Sequence, residues 1–122
     1  MAKINRINAV FIYVNNMALM KKFYEEILGL ELSPVETDLW VEFELPGTNL
    51  ALHQGDPRIR AQQDPLKTNV KFSLEVDDLE SYCDELKKKG VEVNFEPRKD
   101  FSSLLAEIRD PEGNLVRLIQ YK

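Results

Sequence analysis

Residues 69–93 read "NVKFSLEVDDLESYCDELKKKGVEV", and the change of period inside this stretch decides the fold. "NVKFSLEV" alternates its side chains and is rich in β-branched and aromatic residues, which is the pattern of a strand. In "DLESYCDELKKKG" the period lengthens, so that Leu79, Cys83 and Leu86 share one helical face. Asp77 with Glu80 makes a capping-box signature for that helix. Gly90 stands where a helix end needs a positive φ, and the cations Lys87 to Lys89 lie in the last turn, where the dipole favours them as a solvated helix end. A strand, a helix and the return into "VEV" form the start of a βαβ unit.

Outward from this stretch the pattern completes itself and then recurs. Downstream, "VEVNFEP", "SLLAEIR", the turn "DPEGN" and "LVRLIQY" supply three more strands, giving β-α-β-β-β. Upstream, "INAVFIYV" is a strand ending at the helix-capping pair "NN". "MALMKKFYEEILG" is a helix with Leu19, Phe23 and Ile27 on one face and Gly29 at its end. Met17, Leu19 and Met20 read as helix core. "LELSPVE", "DLWVEFEL", a "PGTN" turn and "LALHQ" follow as strands. Val76 answers Val14 and Gly90 answers Gly29, with a difference of about one helix residue, and "DPEGNLVRL" answers "LPGTNLALH". The expected organisation is one domain over residues 1–122, with module one at about 5–54, a polar connector "GDPRIRAQQDPLKT" at about 55–68, and module two at about 69–121. The fold class is α+β.

Composition narrows the function. The chain has 122 residues, 43% of them hydrophobic and 30% charged, the make-up of an ordinary globular domain. Its net charge of -5 and the lack of a long Lys/Arg block argue against a nucleic-acid partner. The start "MAKINRINAV" lacks the apolar stretch of a signal peptide and nothing later approaches a membrane span, so a cytoplasmic protein with no membrane partner is expected. The single Cys83 cannot form an internal disulfide and reads as a small core residue. "PEGN" has one glycine and opens onto a strand, so it is a turn and not a phosphate loop.

Together, the first strand, the "FYEEILGLEL" helix exit, the "VDDLESYCDELKKKGVEV" unit and the closing "DPEGNLVRLIQ" resemble the vicinal oxygen chelate superfamily. Glyoxalase I, extradiol dioxygenases, fosfomycin resistance proteins and bleomycin-binding proteins belong to it. The resemblance implies two tandem βαβββ modules forming a curved mixed sheet around a cleft, usually completed by a second copy of the chain. It also implies four metal-ligand seats on the first and last strands of each module, occupied in the metalloenzymes by His and Glu. In this sequence those seats align with Ala9, Ala51, Lys71 and Arg117. Two have no donor atom and two would bring a positive charge against a divalent cation. No metal and no cofactor are therefore expected. A two-residue shift along the strand reaches His53, which would stand alone.

Strand alternation lists the residues that share a face with those seats: Phe11, Tyr13, Trp40, Glu42, His53, Lys71, Glu107, Arg117 and Tyr121, with Asn49, Ser73, Glu75, Leu105, Arg109, Leu115 and Ile119 beside them. His53 reads either as a ligand or general base, or as a rim residue satisfied by a hydrogen bond. Lys71 and Arg117 read either as ion-pair partners of Glu42 and Glu107, or as a clamp for an anionic group on a ligand held by Trp40, Phe11 and Tyr13. Three functions remain open. The first is a metal-independent, homodimeric small-molecule binding protein of the bleomycin-resistance kind, with the ligand in a cleft between modules. The second is a lyase or dioxygenase with atypical metal ligands such as His53, Glu42 or Glu107, and the third is a metal-free enzyme using His53 or a Glu as base with Arg117 as electrostatic clamp.

Overall fold

The structure is a computed structural model that describes residues 3–55, 71–96 and 103–121, without the side chains of Val35 and Glu96. Most of the expected connector, the start of the strand at Asn69 and Val70, and residues 97–102 lie outside the described residues. The chain groups into two compact units, Met1–Gln63 and Asp64–Lys122.

The first unit contains β1 (Ala9–Val14), α1 (Met17–Lys22, running on into a π-helical turn at Phe23–Ile27), β2 (Glu31–Glu36), β3 (Trp40–Glu44) and β4 (Asn49–Gln54). Its sheet has the order β1-β4-β3-β2. β1 runs parallel to β4, and the other neighbours are antiparallel. Pro34 lies in β2, an edge strand whose register shifts between Leu32 and Glu36, and an edge is where a residue without an N–H is tolerated.

One face of this sheet is closed by the helix. Val14, Val41, Phe43, Leu50 and Leu52 are buried on the strands, with Met20, Phe23, Tyr24 and Leu28 buried on the helix. The rings of Tyr24 and Phe43 are 6.1 Å apart. Each such side chain contributes roughly 1.5–3 kcal/mol of burial free energy. The helix capping agrees with the sequence, since Asn16 Oδ1 accepts from the Leu19 N–H at 3.1 Å and Gly29 has φ 83. The stripe does not. Leu19 is 45% exposed and Met20 is fully buried, so the buried row runs through Met20, Phe23, Tyr24 and Leu28 in place of Leu19, Phe23 and Ile27.

The π-turn accounts for the one-residue difference between the modules. In the first helix the Leu28 N–H donates to Phe23 O and the Leu30 N–H to Tyr24 O, both at 2.9 Å. At the end of the second helix the matching closure runs from the Val91 N–H to Leu86 O at 2.9 Å, one residue shorter than Leu30 to Tyr24. The first module absorbs its extra residue as a wide turn.

The second unit contains β5 (Phe72–Glu75), α2 (Leu79–Lys88), β6 (Val93–Glu96), β7 (Ser103–Arg109) and β8 (Leu115–Tyr121). Its order, β5-β8-β7-β6 with β5 parallel to β8, reproduces the first sheet. Leu79, Cys83 and Leu86 are buried as expected, against a strand face that buries Ala106, Ile108, Val116 and Leu118. The cap is Asp78, whose side chain accepts from the Ser81 N–H, and not Asp77. The two-carboxylate sequence "DD" leaves the choice to backbone geometry, and Asp78 is the residue with extended φ and ψ. The neighbouring Leu79 N–H is taken by Gln120 Oε1 at 2.8 Å, which ties the helix start to β8. In "DPEGN", Asp110 Oδ1 accepts from the N–H groups of Glu112 and Asn114, and Gly113 has φ 85. This is the turn read from the sequence. No helix among the described residues is long and apolar enough to cross a membrane.

Candidate functional site

The face of the first sheet opposite α1 is built by alternation. Because Val10, Ile12 and Val14 point to the helix side, Phe11 and Tyr13 point to the other. Register then sets two rows across three strands. Phe11 lies beside Ala51, which lies beside Glu42, while Tyr13 lies beside His53, which lies beside Trp40. The second row is entirely aromatic, and Phe11 leans onto it. Ring centroids are 5.8 Å apart for Phe11 and Tyr13, 5.4 Å for Phe11 and Trp40, 5.3 Å for Tyr13 and His53, and 5.7 Å for Trp40 and His53. Tilted and edge-on contacts at this range are favourable by about 0.5–1.5 kcal/mol each beyond area burial.

The rings cover the small residue between them, so Ala51 is fully buried, yet Phe11 and Tyr13 remain 47% and 43% exposed. An aromatic patch left half open on a sheet face offers flat contact area to something else.

Glu42 lies at the edge of this patch and is held in place. Its Oε1 accepts from Trp40 Nε1 at 2.9 Å and its Oε2 from Asn49 Nδ2 at 2.6 Å. The Asn49 amide is oriented by its other end, where Oδ1 accepts from the Leu45 N–H at 3.4 Å. Both donors to Glu42 are neutral, so its negative charge has no cationic partner among the described residues of this unit. Asn49 was legible as a member of this face, although its role as the carboxylate's partner appears only with the register. His53 is oriented too. Its Nδ1 lies 2.9 Å from Gln54 O, and a carbonyl can only accept, so the Nδ1 bears a hydrogen.

In the second unit the equivalent rows are Ser73, Arg117 and Glu107, then Glu75, Ile119 and Leu105. Arg117 Nη2 lies 3.5 Å from Glu107 Oε1, with the two side chains 45% and 40% exposed. This is the expected ion pair for Arg117. The expected pairing of Glu42 with a cation is replaced by the Trp40 and Asn49 contacts. Lys71 precedes β5 and is exposed. Tyr121 is 62% exposed at the end of β8, paired with Ser103 and apart from the Arg117 pair. The structure therefore brings together Phe11, Tyr13, Trp40, Glu42 and His53 in one unit, and Glu107 with Arg117 in the other.

The four metal seats do not fit a divalent ion. Ala51 is sealed under rings and has no donor, Arg117 carries a guanidinium engaged with Glu107, and Ala9 and Lys71 offer no anionic or imidazole ligand. Among the described residues no three His, Cys, Asp or Glu side chains are grouped to hold a metal ion.

Comparison with known proteins places this geometry in context. A family model for the Glyoxalase/Bleomycin resistance protein/Dioxygenase superfamily matches residues 6–118. A Bacillus subtilis protein, the uncharacterized YraH, is 29% identical over 115 residues, covering 86% of this chain and 90% of that protein. A probable lactoylglutathione lyase of Vibrio parahaemolyticus is 26% identical over 126 residues, covering 96% and 91%. Among solved structures, TnmS3, an antibiotic binding protein from Streptomyces sp. CB03234, superposes with a TM-score of 0.79 at 23% identity and full coverage of both chains.

Proposed function

The chain belongs to the Glyoxalase/Bleomycin resistance protein/Dioxygenase superfamily, and from that premise we propose that it is a metal-independent small-molecule binding protein. The ligand rests on the aromatic face of the first sheet, on Phe11, Tyr13, Trp40 and His53. The observation that carries this reading is the pair of half-exposed rings, Phe11 and Tyr13, packed on Trp40 and His53 over a seat whose occupant, Ala51, has no metal-binding atom. The antibiotic-binding role of TnmS3 is in keeping with it. We propose further that residues 1–122 act as one glyoxalase-like domain in a cytoplasmic homodimer without a nucleic-acid or membrane partner. The half-exposed rings of the aromatic face favour a second copy.

The chain has a single tryptophan, Trp40, so its emission reports on this face directly. A library of small aromatic compounds screened by Trp40 fluorescence and thermal shift is expected to yield ligands whose affinity falls about tenfold in Phe11→Ser, the loss of about one ring contact. Ligands indifferent to Phe11→Ser, or one equivalent of bound divalent metal by elemental analysis, would contradict the proposal. One observation keeps an enzymatic reading alongside it: the His53 imidazole is held through Nδ1 by Gln54 O in the row with Tyr13 and Trp40. Formation of lactoylglutathione by the wild-type protein and its loss in His53→Gln would favour that reading.

A further inference from the structure

Resting on the reading of the first sheet as the ligand face, we propose that this face selects an organic cation, a positively charged heteroaromatic or alkylammonium group seated on Phe11, Tyr13 and Trp40 with Glu42 as its counter-charge. The two modules make the case by contrast. At the same row of the sheet, Glu107 has Arg117 directly opposite and Glu42 has Ala51. In the second module the chain supplies its own cation, 3.5 Å from the carboxylate. In the first module, the place of that guanidinium is taken by a methyl group under the rings.

The carboxylate is also held at the patch. Trp40 Nε1 at 2.9 Å and Asn49 Nδ2 at 2.6 Å fix both oxygens beside the indole without neutralising them. Ring faces carry negative quadrupole potential, so three rings and a fixed carboxylate attract the same sign of ligand. An anionic ligand on this face would meet the Glu42 carboxylate, which has no cationic partner among the described residues of its unit, and Arg117, the expected anion clamp, is engaged with Glu107. The net charge of -5 adds a long-range field of the same sign.

Three probes of nearly equal shape separate charge from stacking: 1-methylquinolinium chloride, quinoline, and 1-naphthalenesulfonate, titrated by calorimetry and Trp40 emission near neutral pH. The wild-type protein is expected to bind the quinolinium about tenfold more tightly than quinoline, and the sulfonate more weakly than either. Glu42→Gln is expected to remove that preference, read as the ratio of quinolinium to quinoline affinity within the variant. Should Glu42→Gln fold poorly, the wild-type protein still decides the matter, because raising salt from about 20 mM to about 500 mM should weaken the quinolinium alone. Equal affinity for quinolinium and quinoline, or a preference that survives both Glu42→Gln and high salt, would overturn the cation assignment and leave the binding face standing. No binding by any probe would overturn both.

Discussion

The two modules use one scaffold and finish it differently. On the helix side they are alike: Leu52 in β4 and Leu118 in β8 are fully buried at matching registers, beside Ile12 and Leu74. On the other side, the rows Phe11–Ala51–Glu42 and Tyr13–His53–Trp40 stand where the second module has Ser73–Arg117–Glu107 and Glu75–Ile119–Leu105. One face gathers rings around a neutral seat, and the other closes an ion pair over the same seat. The helix-side face is constrained by packing and so repeats. The open face has no such constraint, and function can diverge there.

The largest expected effect tests the likeness. Leu52→Ala and Leu118→Ala should each cost about 2–5 kcal/mol, because each removes a fully buried side chain from a closed layer. Urea melts giving values within about 1 kcal/mol of each other would sharpen the equivalence of the two layers. A loss at one site of under about 1 kcal/mol would break it.

The next tests the difference, at the seat itself. Ala51→Arg forces a long cationic side chain under the rings and should cost about 1–3 kcal/mol. Arg117→Ala removes half of an exposed pair and should cost less than about 1 kcal/mol. Arg117→Glu adds a pH signature. A second carboxylate beside Glu107 raises the native pKa of the pair, so the native state holds more protons than the unfolded chain and stability rises as pH falls. Thermal melts at pH 8 and pH 5 should show the variant's deficit shrinking in acid. Deficits equal at both pH values would mean that Glu107 and the new side chain do not share a face.

Much of this contrast could be read before any coordinates. Strand alternation is a hard geometric rule, so Phe11 and Tyr13, Trp40 and Glu42, and Glu107 and Arg117 could be placed on the faces they occupy, while which cation met which carboxylate stayed open. What could not be read was cross-strand register, which alone decides that Asn49 and Trp40 hold Glu42 while Arg117 does not. The helix stripe also failed, because Leu19 and Met20 are adjacent apolar residues ahead of the π-turn and periodicity alone does not choose which of two neighbouring rows faces the sheet. Asp77 and Asp78 are chemically equal caps, and backbone angles chose between them.

The smallest effect lies on the helix side of the second module. Burial pushes the Tyr82 phenol up from 10.0 to about 12, with Glu85 and Cys83 adding to the shift. An acid whose folded pKa is raised gives stability that is complete below its unfolded value and is lost as pH rises toward the folded one. Wild-type stability should therefore fall between about pH 10 and pH 12 more steeply than that of Tyr82→Phe, as followed by circular dichroism. Parallel curves would place Tyr82 in solvent.

The central claim is that the open face of the first sheet, and not its counterpart in the second, receives a ligand. Backbone and indole amide spectra of the 15N-labelled protein, recorded on titration with 1-methylquinolinium and with quinoline, test it directly. The largest shifts are expected at Phe11, Tyr13, Asn49, His53 and the Trp40 indole N–H, with Ser73, Glu75, Leu105 and Ile119 nearly still. Shifts concentrated around Arg117 and Glu107, or spread evenly over both sheets, would contradict it.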